Sequence, residues 1–229
     1  MQVFTNHKKV LAYGLVGIIG VFLTIISDLL LIGRPNSAFS FLKMGTESMA
    51  DISQWRIAAG ALFGIFVLPF QIAGLVPMFY GLKTSGKVLP YIVLITCAHA
   101  ITMGVAFHVS YADIGSGWKL YYEVGAGDKI VAALMNRYEF YWNIIIYIMF
   151  AELLASSVLY AYLIKKGKTL YPKWMALFNP IFILIILFPA LFILPYPIGG
   201  YIAPAYFNIS TFIFFCISTK VLYKRMACR

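Results

Sequence analysis

Six long apolar stretches, each nearly free of charge, limit this chain to one solvent in which it can fold. They cover residues 10–32, 57–82, 88–111, 141–163, 174–196 and 201–219. A helix needs roughly 20 mostly apolar residues to cross the ~30 Å hydrocarbon core of a bilayer. Lipid offers no partners to backbone N–H and C=O groups, so each unbroken run reads as a helix; a barrel strand would alternate apolar and polar residues. Composition agrees, with 62% hydrophobic and 11% charged residues among 229, where a soluble domain carries about 25% charged. A soluble enzyme, a disordered tail and a disulfide scaffold are excluded. The expected fold is an all-α, polytopic transmembrane helix bundle of six spans in a single domain, residues 1–229. The first span follows His7, Lys8 and Lys9. It is too long for a signal-peptide core and lacks a small-residue cleavage site, so it reads as an uncleaved anchor.

The net charge of +10 is a statement about direction. Lys8, Lys9, Lys83, Lys87, Lys165, Lys166, Lys168, Lys173, Lys220, Lys224, Arg225 and Arg229 fall on one side of the six spans with no acidic residue among them. Arg34, Lys43, Arg56, Lys119, Lys129 and Arg137 fall on the other, mixed with Glu47, Asp51, Asp113, Glu123 and Asp128. The positive-inside rule makes the first side cytoplasmic and puts both termini there. So few charges on so apolar a chain cannot form a groove for nucleic acid. Two outer connections are long, residues 33–56 and 112–140, and within them 48–55 and 129–138 read as amphipathic pieces lying along or capping the bundle. Cys97 and Cys216 sit in apolar runs and Cys228 in the basic tail, where it is a candidate acylation position; no redox or zinc spacing exists.

Polar groups inside the spans are costly, so their default reading is functional. At about 1.5 Å of rise per residue, Gln71, His99, Glu152 and Asn208 fall near mid-depth. Asp28, Arg56, His108, Glu139 and Asn143 fall in the outer quarter, and Asn179 lies toward the cytoplasmic face. His99 and His108 are nine residues apart, a net half turn, and so are Asn143 and Glu152. On adjacent straight helices, a His99–Glu152 contact therefore sends His108 and Asn143 elsewhere. His108, Glu139, His99 and Glu152 are the candidate catalytic residues, since each can carry a proton. Asp28, Arg56, Gln71, Asn143, Asn179 and Asn208 are the candidate substrate-binding residues. Asp28 is expected to pair with Arg56, and His108 with Glu139. The competing reading of every one is structural, as interhelical glue. No metal spacing, nucleophile motif or phosphate-binding loop is present, and no cofactor is implied.

Pro69 and Pro77 in the second run, and Pro180, Pro189 and Pro195 in the fifth, predict bent helices and an irregular, hollow bundle. Gly60 and Gly64 form a GxxxG close-packing face. No internal repeat is found, which leaves an inverted-repeat transporter without support.

The string ISQWRIAAGALFG (residues 52–64), the segment GVAFH (104–108), the set Trp174, Asn179 and Pro180, and the set Ala203, Pro204 and Asn208 resemble an uncharacterised family of bacterial six-span membrane proteins, a domain of unknown function. The resemblance implies a multi-pass protein of the bacterial inner membrane and supplies no reaction. The partners expected are the lipid bilayer and a lipid-like or apolar small molecule, held in a partly polar pocket that opens toward the outer face. A proton-coupled carrier and a non-catalytic membrane component are the alternatives.

Overall fold

The computed structural model describes residues 2–125 and 128–227, so Cys228 and Arg229 lie outside the described residues. Every regular element among them is helical. In order these are α1 (Gln2–Leu31), α2 (Ala38–Met44), α3 (Gln54–Val67), α4 (Gln71–Leu82), α5 (Leu89–Glu123), α6 (Lys129–Lys165), α7 (Pro180–Leu191) and α8 (Ile198–Ala227). Short 3₁₀ turns at Gly45–Asp51, Leu68–Phe70, Lys83–Ser85 and Lys173–Leu177 join or interrupt them. Five helices are long and apolar enough to cross a membrane: α1 from His7, the α3–α4 unit Gln54–Ser85, α5, α6 and α8. Pro69 accounts for the break within the second of these, because it removes a backbone donor and its ring clashes with the preceding turn.

The fifth apolar run behaves differently from the others. Only Pro180–Leu191 is α-helical there, which is about 18 Å of helix at 1.5 Å per residue and short of the ~30 Å core. Pro180 starts α7 at its first turn and Asn179 caps it, the Asn179 side-chain oxygen accepting from the Phe182 N–H. Beyond Leu191 the chain turns through Pro195 and Pro197 into α8. Even so, residues 166–197 connect opposite ends of the bundle. Leu170 N–H bonds Gly81 O at the end of α4, whereas Arg34 N–H bonds Gly200 O at the far end.

The long connection at 112–140 is not a loop. Both flanking spans continue as helix, α5 for 35 residues and α6 for 37, so each reaches slightly more than ~50 Å and the pair projects as a hairpin past the bundle end. The piece at 129–138 is helical as expected but continuous with α6. The piece at 48–55 is divided between a 3₁₀ turn and the start of α3. Met49 there is fully buried with Leu31, Ile32, Ile52 and Ile57, which caps the end of α1 and α3.

Packing follows from glycine. Gly14, Gly17 and Gly20 recur every third residue on α1. A Cβ on Gly17 would stand 2.3 Å from Gly74 Cα of α4, and one on Gly14 would stand 2.4 Å from the Thr219 side chain of α8. Gly60 of α3 similarly meets the backbone of Leu31. These approaches make α1 the centre, with α8 along one side and the α3–α4 unit along the other. α5 packs on α3–α4, α6 on α5, and α7 on α8, giving an arc of helices curled around a hollow. Neighbours run antiparallel, so Lys83, Lys87, Lys165, Lys168 and Lys220 gather at one end and Arg34, Lys43, Asp51 and Lys119 at the other.

Gly17→Ala is expected to lower stability by about 1–3 kcal/mol, since backbone cannot yield to the added methyl. Gly86→Ala, which meets nothing within 4 Å, should change it by less than about 0.5 kcal/mol. Thermal unfolding of both variants in detergent checks the contrast.

Candidate functional site

A cavity of about 320 Å³ occupies the inside of the arc, between α5–α6 and α8, with α1 and α4 behind it. Its lining reaches from Val93 to Tyr111 on α5 and from Trp142 to Tyr160 on α6, about 27 Å of helix in each case. Most of that wall is apolar: Leu68, Leu75, Met78, Ile101, Ile146, Met149, Phe150, Leu153, Phe207 and Phe214. Phe41 and Thr46 of the connection after α1 lie over one end.

The polar groups are concentrated in one network. Asn208 of α8 donates from Nδ2 to Asp28 Oδ2 of α1 at 2.8 Å. Gln71 of α4 donates from Nε2 to Asn208 Oδ1 at 3.3 Å and to Thr24 Oγ1 at 2.9 Å. Thr24 passes its own hydrogen to Gly20 O. On the other side, His108 Nε2 of α5 lies 3.4 Å from Asp28 Oδ1, and His108 Nδ1 lies 3.5 Å from Ser27 Oγ, whose hydroxyl donates to Gly60 O. Four helices thus meet in a buried chain of side chains. Asp28, Gln71, His108 and Asn208 all line the cavity.

Local sequence explains why these side chains converge. Gly64, four residues after Gly60, leaves the space that His108 fills: a Cβ there would lie 2.1 Å from Nδ1. The GxxxG face is therefore interior, one glycine admitting the α1 backbone and the other seating the imidazole. Asp28 and Ser27, Thr24 and Gly20 lie on the α1 face turned to α3–α4 and α8, at helical spacing.

The remaining candidates separate from this network. His99 and Glu152 do pair, Nδ1 to Oε1 at 2.6 Å, but on the outer edge of the α5–α6 contact, with the imidazole 55% exposed. That contact turns His108 inward, as the nine-residue spacing requires, and leaves Asn143 half-buried outside the lining. His108 does not meet Glu139. Glu139 accepts from Thr46 Oγ1 at 3.2 Å, and Thr46 in turn accepts from Trp118 Nε1, because α6 at that level faces the cap and not the cavity. Asp28 does not meet Arg56 either. Arg56 Nη2 donates to Leu29 O at 2.9 Å and Gly33 O at 2.5 Å, a cation satisfying carbonyls at the C-terminal end of α1. Asn179 is buried and contributes to the cavity lining, but its oxygen caps α7 and its amide donates to Ala176 O, so both ends are used structurally. Among the described residues no group of three His, Cys, Asp or Glu side chains could hold a metal ion.

Sequence reasoning passed over Ser27 and Thr24, whose hydroxyls close the network, and Trp142, Tyr111 and Tyr206, which give the cavity aromatic edges at the capped end. Trp142 stacks on Phe107, ring centroids 5.2 Å apart. The signal for the hydroxyls was their spacing: Thr24 lies four residues before Asp28 and three before Ser27, on one helical face.

The geometry describes a helical bundle with a buried polar network facing an apolar hollow. Residues 4–225 match the model of a family described as "Family of unknown function (DUF6796)", and the chain belongs to that family. No curated protein and no solved structure matches it.

Gly64→Ala should displace His108 from its seat. The expected result is a loss of about 1–3 kcal/mol in stability and faster modification of His108 by an imidazole-directed reagent. Unchanged labelling would show that the seat tolerates a methyl group.

Proposed function

We propose that this chain is a six-span protein of the bacterial inner membrane, with both termini cytoplasmic, that binds or acts on a lipid-like or apolar small molecule within its bundle. The observation that carries the ligand reading is the concentration of Asp28, Gln71, His108 and Asn208 on one wall of an elongated, otherwise apolar cavity. Interhelical glue needs no hollow beside it, whereas a binding site combines an apolar wall with a few convergent polar groups. About 27 Å of lining matches much of the thickness of the hydrocarbon core, so a long chain fits its direction.

Access is through the side as well as beneath the outer cap. α6 packs on α5 and touches α7 only lightly. Half-buried lining residues, Ile146, Met149 and Phe150 on α6 and Pro204, Phe207 and Thr211 on α8, face one another there, with Phe150 and Phe207 in edge contact at 5.6 Å. A slot between two helices at that depth opens onto lipid tails. A carrier using His99 and Glu152 as a proton relay has weaker support, because that pair lies apart from the cavity.

The sixth crossing rests on residues 166–197, which join opposite bundle ends, and the orientation on the one-sided lysines. Single cysteines at Lys168 and Asp51 should label from opposite sides of intact membranes, the Asp51 position from outside; labelling from the same side overturns the topology. For the ligand, mass spectrometry of protein extracted in mild detergent should find an apolar molecule. Leu153→Trp, which fills the cavity, should abolish its recovery while the protein stays folded. Equal recovery from both proteins would remove the binding reading.

A further inference from the structure

We infer that the cavity selects an uncharged amphiphile, a long-chain or polycyclic molecule with a hydroxyl, carbonyl or amide head, and rejects anionic lipids and fatty acids; this rests on the binding reading above. Two independent observations support it.

The first is which charges line the hollow. Among the described residues no Lys or Arg contributes to the lining, whose charge-bearing carboxyl and imidazole groups are Asp28 and His108. Arg56, the cation that the sequence pairs with Asp28, is spent on Leu29 O and Gly33 O. A phosphate or carboxylate head would enter a low-dielectric space beside Asp28 with no cation to meet it, and burial of an unpaired anion is strongly unfavourable.

The second is a count of hydrogens. Ser27 gives its only hydroxyl hydrogen to Gly60 O at 2.6 Å, so toward His108 it can only accept. The arrangement that makes this 3.5 Å approach a hydrogen bond puts the hydrogen on His108 Nδ1, pointing at Ser27 Oγ. Nε2 faces Asp28 Oδ1 at 3.4 Å, and a lone pair against a carboxylate oxygen would repel. One further proton must lie on one of the two. Either placement gives the pair a net charge of zero: a carboxylic acid beside neutral imidazole, or a carboxylate beside imidazolium. The wall therefore presents no net charge to a ligand, which removes the attraction for a cationic head that a lone carboxylate would exert. What it presents instead are neutral hydrogen-bonding groups. Gln71 uses both amide hydrogens on Thr24 and Asn208, leaving Oε1 as an acceptor for a hydroxyl or amide hydrogen.

The test compares three probes with the same tail: hexadecanol, hexadecanesulfonate and hexadecylammonium. Each is titrated against wild-type protein and Leu153→Trp in nanodiscs, following thermal unfolding and Trp142-sensitive fluorescence. Hexadecanol should stabilise the wild type, and Leu153→Trp should lose the effect. The sulfonate and the ammonium should each bind at least about tenfold more weakly, an effect worth roughly one unsatisfied buried polar group. Equal or tighter binding of either ion overturns the inference while leaving a chain-binding cavity intact. In particular, tightest binding of the ammonium would mean that Asp28 acts as an uncompensated anion. If none of the three distinguishes wild type from Leu153→Trp, the binding reading itself fails. Asp28→Asn gives an independent check on the sulfonate alone: because the pair carries no net charge to remove, sulfonate affinity should rise by less than about threefold. A large gain for the sulfonate in this variant would show that a carboxylate charge, and not the missing cation, was excluding it.

Discussion

In lipid, apolar side chains gain almost nothing by leaving one apolar surroundings for another, so helices must be held by close van der Waals contact and hydrogen bonds. The central helix α1 answers this with small residues. Gly14, Gly17 and Gly20 let α8 and α4 approach until backbone meets backbone or a single threonine. That approach is also what lets short side chains reach across. Asp28, Asn208, Gln71 and Thr24 bridge three helices directly only because the glycines below them have drawn the axes together. A bundle spaced by leucines would hold the same polar residues apart, and each would be an unsatisfied group in hydrocarbon.

The network consumes most of the hydrogen-bonding capacity it contains, yet it stands at the edge of a hollow. In a polar core built only for cohesion, apolar packing would close around it. Here the arc of helices stops short of closing, and α5 and α6 contribute a wall with few ties to α8 beyond the ring contacts of Phe150 with Phe207 and Tyr160 with Phe214. Cohesion and cavity are thus produced by different helices. α1, α4 and α8 supply the first, and α5 and α6 enclose the second.

Much of this was legible in the residues. Apolar runs marked every long helix, because hydropathy depends only on local composition. The half-turn arithmetic correctly made a His99–Glu152 contact and an α5–α6 contact of His108 mutually exclusive, and the structure takes the first option. The common depth of Gln71 and Asn208 was also visible, though not that they bond each other. What could not be read was partner choice. Arg56 was assigned to Asp28 on charge alone, but the carbonyls ending α1 are acceptors that a residue list does not display. Glu139 was assigned to His108 on depth alone, and the α5–α6 rotation that feeds His108 inward turns Glu139 toward Thr46. The fifth run had the composition of a span, yet Asn179 starts its helix late and prolines end it early. Lengths of α5 and α6 were underestimated for the opposite reason: polar residues at 112–140 lower hydropathy without breaking a helix.

The light attachment of α6 has an energetic consequence. Deforming a protein costs whatever contacts must be given up, and α6 is committed mainly to one neighbour, α5, and to the Lys173–Leu177 turn. Swinging it away from α8 would break two aromatic contacts rather than a packed interface. The inner girth of the bundle is therefore its softest coordinate, while the spacing of α1, α4 and α8 is its stiffest. A host built in this way has a rigid recognition end and a compliant wall, so it would be strict about the chemistry of a guest's head and lenient about the width of its tail.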